Sequence, residues 1–366
     1  MMLQCEYCRC RTFTSFADMP RDSSPATHTL AGPDGRRIST LFSAAQSAGV
    51  AKLSDIMTGA MNRLFLHANG DIPSPEYIPS SGILNAAELN ELAEMFAGGT
   101  SIANLLGRSR VVERAHLAIH REIGFGGGHG YSGGVSRNND SGGADSGDDA
   151  DTSDVQSFSM FADGDSPAPL APKKAVEFFR SLVPGLRVDP ATFDHRQRLQ
   201  GFNIAVTTNQ QLTESVKRII SDVIEGNDGG DFANGPAAIR QILENAGVSP
   251  SNPQYANMVM RTNLNGAYTQ GTDDELEQPH MQEMFPAWQY VGIRDGRQGS
   301  DHEPHFDRYF PVTLSFAEVR GERVYNCRCS KIPVDRYQWA RLVEGGARIE
   351  RMTEQMWRAW CERVLG

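Results

Sequence analysis

The sequence predicts an α+β protein, with mainly helical N-terminal and middle regions followed by a compact C-terminal block that holds a small sheet. Three observations predict it. Apolar residues recur at three- and four-residue spacing through most of the first 270 positions. Aromatic and β-branched stretches cluster between residues 287 and 334. A Gly/Asp-rich run with almost nothing to bury divides the helical part. The boundaries that follow are a helical region over 1–125, a disordered linker over 126–165, a helical region over 166–252, an α+β block over 253–335 and a C-terminal helix over 336–366.

Before the linker, "LSDIMTGAMNRLF" sets Leu53, Ile56, Met57, Ala60, Met61 and Leu64 on one helical face. A second helical region runs through "LNAAELNELAEMF", is expected to break at Gly98 and Gly99, and restarts with Thr100 or Ser101 as N-cap. Ile102, Leu105, Leu106, Val112, Ala115 and Ile119 then form its stripe. Arg108, Arg110, Arg114 and Arg121 are expected on a solvated face, the alternative being contact with an acidic partner or DNA.

After the linker, "KKAVEFFRSLVPG" reads as a short helix stopped near Pro184 and Gly185. The long "LQGFNIAVTTNQQLTESVKRIISDVIEG" repeats Leu212, Val216, Ile219, Ile220 and Val223 on one side, with Thr207, Thr208 and Asn209 as a polar face. "GPAAIRQILENAG" has the proline start and glycine end of a compact helix, and "SPSNPQYANMVMRTNLNGAYTQG" reads as one more, ending near Gly271. "AWQYVGIR", "RYFPVTLSF" and "ERVYNCRCSKIPV" then read as extended segments. The closing helix "TEQMWRAWCERVL" takes Thr353 as cap and Met356, Trp357, Trp360 and Val364 as apolar face.

With 366 residues the chain can bury a core in each of two ordinary domains. A net charge of −10 argues against broad coating of nucleic acid, although a local basic patch remains compatible with it. No stretch approaches the roughly 18 apolar residues that span a bilayer, and "MMLQCEYCRCRTFTSF" lacks the apolar centre of a signal peptide. A cytoplasmic protein with reduced thiols is expected. Its six cysteines then suggest metal ligation at Cys5, Cys8 and Cys10 and at Cys327 and Cys329, with Cys361 a small hydrophobe.

Cys327 and Cys329 sit two apart on an extended segment, which turns both thiols to one face. With His302 or His305 they make part of a tetrahedral zinc site, to which Cys5 and Cys8 are candidate additional donors. The alternative is two small buried cysteines flanking Arg328, whose guanidinium pairs with Asp295 or Glu318. Asp295, Arg297 and His302 likewise admit two readings. One is catalytic, with the histidine as base and the arginine holding an anion; the other is a structural ion pair at a turn.

Read in order, "RTNLNGAYTQG", "WQYVGIRDGRQGSDHEPHFDRYFP", "SFAEVRG" and "YNCRC" resemble the Mu F-like phage head-morphogenesis family of minor head or minor capsid proteins. Arg261, Thr262, Asn263, Ala267 and Tyr268 match its helix. Trp288, Asp295, Arg297 and His302 match its aromatic strand and following turn, and Cys327, Arg328 and Cys329 match its closing Cys-Arg-Cys. The resemblance implies a non-enzymatic component of a tailed-phage or prophage head. It implies the portal protein and other head proteins as partners, contact with packaged DNA and no membrane, and residence in the host cytoplasm during assembly and then in the virion head. Toxin or nuclease domains of related proteins lie beyond this block, and about 33 residues follow Pro333 here. The competing expectations are a metal-dependent hydrolase or nuclease using His302, and a zinc-stabilised binding module.

Overall fold

The computed structural model describes residues 33–67, 76, 78–122, 170–183, 185–225, 253–294, 301–321 and 327–365. Among the described residues five helices come first: α1 (Pro33–His67), α2 (Ala86–Glu122), α3 (Pro172–Leu182), α4 (Pro190–Ile224) and α5 (Pro253–Leu276). The block that follows contains α6 (Pro279–Met284), β1 (Ala287–Val291), β2 (Tyr309–Pro311), α7 (Phe316–Arg320), β3 (Ser330–Val334), α8 (Arg336–Glu344) and α9 (Glu354–Leu365), with a 3-10 turn at Glu303–His305. The α+β expectation therefore holds, with a three-stranded antiparallel sheet of order β2-β1-β3. The linker over 126–165, the helix expected at 235–247, Pro184, and Cys5, Cys8 and Cys10 lie outside the described residues.

Helix α2 is the hub, packed by α1, α3, α4 and α5. Leu92, Phe96 and Ala103 join a core with α1, α4 and α5, while Leu105, Val111 and Val112 join a second one with α3, Phe193 and Phe285. The segments on either side of the undescribed linker thus pack on one another. A helix enclosed on every side needs no single apolar stripe.

That enclosure corrects two expectations. α2 does not break at Gly98 and Gly99, because Thr100 and Ser101 are not caps: their hydroxyls donate back to Phe96 O and Ala97 O at 2.7 and 2.6 Å, inside a continuous helix. Nor do Arg108, Arg110 and Arg114 form a solvated face; the side chain of Arg121 lies outside the described residues. Arg108 is buried, donating to Asn104 Oδ1 at 3.0 Å and pairing with Asp274 and Glu275. Arg110 pairs with Glu113 at 2.9 Å, and Arg114 donates to Pro333 O at 3.0 Å across the junction with β3.

Glycines bring α2 and its neighbours together. A Cβ on Gly107 would meet Tyr268 O at 2.1 Å, and one on Gly271 would meet Asn104 O at 2.0 Å, so α2 and α5 cross backbone to backbone. α5 accordingly runs through Gly271 to Leu276 rather than ending there. α4 begins earlier than its apolar repeat indicates, because Asp189 Oδ2 accepts from Thr192 N at 2.9 Å and Pro190 opens the first turn. Thr208 and Asn209 are buried rather than a polar face: Asn209 accepts from Leu84 N at 3.1 Å and donates to Ser81 O at 2.9 Å, which pins the segment before α2.

In the block, Trp288 stands between Phe310 and Pro333 in the sheet register. One face of the sheet buries Trp288 and Tyr290 against Phe306, Phe310, Phe316 and the two cysteines. The other buries Ala287 and Val334 against Trp339, Ile349 and Trp360. The aromatic run "RYFPVTLSF" is a strand only to Pro311, because Ser315 and Glu318 form a reciprocal capping box that starts α7. Thr353 caps α9 as expected, through Met356 N at 3.3 Å. Met356 itself points outward and is 54% exposed, while Trp357, Trp360 and Val364 pack inward with half-buried Cys361.

Candidate metal centre

His302 is carried by the turn between β1 and β2. That turn is tied to the end of β1 by Tyr290 N donating to Arg308 O and Asp307 N donating to Tyr290 O, both at 2.9 Å. Asp307 takes the left-handed conformation at φ 66° that lets the chain double back. Gly292 completes the fit, since a Cβ there would lie 2.2 Å from the Phe306 ring. His302 is thereby presented inward.

The two cysteines arrive from the other side. Asn265 Nδ2, on α5, donates to both Cys327 O and Cys329 O at 3.1 Å. Both thiols face the sheet, packed with Trp288, Tyr290, Phe306 and Phe316. Cys327 Sγ and Cys329 Sγ lie 3.5 and 3.7 Å from the same His302 Nδ1, and Cys329 N points at Cys327 Sγ from 3.4 Å. The three donor atoms fall within 4.8 Å of one another. His302 is 4% exposed, Cys327 7% and Cys329 3%.

The thiols titrate as a pair in opposite directions. The hydrogen bond from the Cys329 side chain, followed by its backbone N–H and the charges of His302 and Arg320, pulls Cys327 down to about 6 against the effect of burial. The hydrogen bond to the Cys327 side chain, and then burial, raise Cys329 far above its ordinary value. Burial first, and the Cys329 thiol second, push Tyr290 up as well, yet its hydroxyl has no hydrogen-bond partner of good geometry among the described residues. His302 Nε2 is buried and also lacks one.

Of the residues singled out by sequence, His302, Cys327 and Cys329 come together. His305 does not join them; it stacks near Tyr290 at 5.7 Å, its pKa lowered by burial and then by Arg351. Trp288 is fully buried, donating Nε1–H to Leu314 O at 2.8 Å and stacking on Phe310 at 4.9 Å. Thr262 and Asn263 line a separate groove between α4 and α5, where Asn263 donates to Val259 O at 2.8 Å. Arg261 and Tyr268 sit half-buried on α5, and Arg328 is half-buried between the cysteines. Asp295 and Arg297 lie outside the described residues. Glu318, one of the partners considered for Arg328, is occupied by the Ser315 cap. Asn265 and Tyr290, which sequence reasoning missed, frame the site; their only signal is polarity at positions facing the block.

Among the described residues, no helix is long and apolar enough to cross a membrane. A scan of protein-family models finds no match to the chain, and searches of curated proteins and of solved structures find none either.

Proposed function

We propose that this chain is a minor head protein of a tailed phage or prophage, resembling the Mu F-like family, and that it acts in head assembly through contacts rather than by turning over a substrate. One observation carries the reading. The ordered sequence elements of the resemblance converge physically: α5 holds the Cys-Arg-Cys carbonyls through Asn265, the Trp288 strand forms the centre of the sheet, and the His302 turn closes over both thiols. On this reading the partners are the portal and other head proteins and the packaged DNA. The protein works in the host cytoplasm during assembly and remains in the virion head.

The hydrolase or nuclease alternative is disfavoured by the same geometry, because a base or metal that is 4% exposed offers a polymeric substrate no approach. Mass spectrometry of proheads and virions from the source genome tests the proposal. The chain is expected there in few copies, beside portal peptides. Its absence from particles at every stage overturns the reading, as does hydrolytic activity lost in His302→Ala while particle incorporation persists.

A further inference from the structure

We propose that His302 Nδ1, Cys327 Sγ and Cys329 Sγ bind one zinc ion, which ties the β1–β2 turn to the segment leading into β3. Three facts carry this independently of any role in a phage head. First, the distances suit the ion. Zn–S bonds of about 2.3 Å and a Zn–N bond of about 2.0–2.1 Å at tetrahedral angles set the S···N edges at about 3.6 Å, against 3.5 and 3.7 Å observed.

Second, both sulfurs converge on a single nitrogen. A thiol–imidazole dyad needs only one sulfur there, and Nδ1 has one proton or one lone pair to share. Two sulfurs at nearly equal range describe a common point between three donors. All three residues are nearly solvent-free, which suits a cross-link and denies a nucleophile its substrate.

Third, the surroundings fit thiolate ligation. Cys329 N–H points at Cys327 Sγ, and no carboxylate belongs to the cluster, which excludes calcium and magnesium as natural occupants. Three protein donors leave a tetrahedral ion a fourth position, which we assign to water. The buried Tyr290 hydroxyl beside Cys329, which has no hydrogen-bond partner of good geometry among the described residues, is placed to accept from it. Because Asn265 grips the carbonyls of both ligating cysteines, the ion also fastens the sheet to α5.

The test uses the full chain, purified under reductant without added metal. Elemental analysis is expected to find near one zinc per chain, and X-ray absorption at the zinc edge to find two sulfurs and one imidazole in the coordination shell. His302→Ala, Cys327→Ser and Cys329→Ser should each lower zinc content at least tenfold, whereas Cys361→Ser and a combined Cys5→Ser, Cys8→Ser, Cys10→Ser variant should keep it. Chelation should lower Tm, and zinc but not magnesium should restore it. Should the ligand variants fail to fold, cobalt substitution of the unmodified chain still reads the site through thiolate-to-cobalt charge-transfer bands. Zinc-free protein, copper in place of zinc, zinc that follows the N-terminal cysteines, or a Cys327–Cys329 disulfide in freshly reduced protein would each overturn the proposal.

Discussion

Asn265 is a single side chain that bridges two parts of the molecule. Its amide donates to two carbonyls of the Cys-Arg-Cys segment, so Asn265→Ala leaves both in a half-buried seam without that donor. The expected cost is about 1–3 kcal/mol in urea unfolding, with the helices intact by circular dichroism. Glu275 makes a pH prediction. Burial, opposed by Arg108 nearby, holds its folded carboxyl at about 7, above its ordinary value of 4.5. Between those values the folded state holds the extra proton. Its contribution to stability is therefore full below the lower value and is lost as pH rises through the upper one, by about 3 kcal/mol at most. Glu275→Gln should flatten that slope in urea titrations at stepped pH, since Arg108 keeps Asp274 and Asn104 as partners.

At the scale of the element, α5 offers two glycines with opposite expectations. Gly271 presses on the Asn104 carbonyl of α2, so Gly271→Ala forces the backbones apart, at a cost of about 1–3 kcal/mol. Gly266 has nothing within 4 Å of a built Cβ. Gly266→Ala should stabilise the same helix by about 0.5–1 kcal/mol, through helix propensity alone. Thermal unfolding of the two variants side by side checks both signs. The contrast also shows what periodicity could and could not reveal. Leu53, Ile56, Met57, Ala60 and Met61 are legible as a helical face and are buried as one. Gly98 and Gly99 look like a break because glycine lowers local helix propensity, but tertiary enclosure outweighs about 1 kcal/mol per glycine. The capping box at Ser315 and Glu318 was present in the letters and was masked by the aromatic run before it.

At the scale of the whole molecule, the helical bundle and the sheet meet along a cleft of about 560 Å³ lined in part by Arg110, Arg114, Tyr268 and Lys331. Two cations cross this junction. Arg114 reaches Pro333 O, and Lys331, whose side chain is 1% exposed, pairs with Asp273. Burial pulls Lys331 down to about 7, and the Asp273 carboxylate that it pairs with favours the charged form. Asp273→Asn removes the opposing charge and should cost about 3–5 kcal/mol at neutral pH. The variant should then regain stability as pH rises toward the ordinary lysine value of 10.5, because its unfolded state binds the proton that the folded lysine rejects. Lys331→Met combined with Asp273→Asn, which removes both charges and keeps the packing over Trp288, should cost far less.

By itself, the sequence determined the α+β class, most helical faces, the strand-like segment at Trp288 and the paired thiols of the candidate centre, with His302 or His305 as the third donor. These follow from local spacing: three and four for a helix, two for a strand, and two thiols on one side of an extended segment. Only the tertiary structure decided that α2 is continuous and enclosed, that Arg108 and Asn209 are buried, that His302 rather than His305 joins the thiols, and that Asn265 holds the cysteine segment. The physical reason is that a polar residue's place depends on which partner can satisfy it. Such partners lie up to 219 residues away along the chain, as for Arg114 and Pro333, beyond the reach of any local pattern.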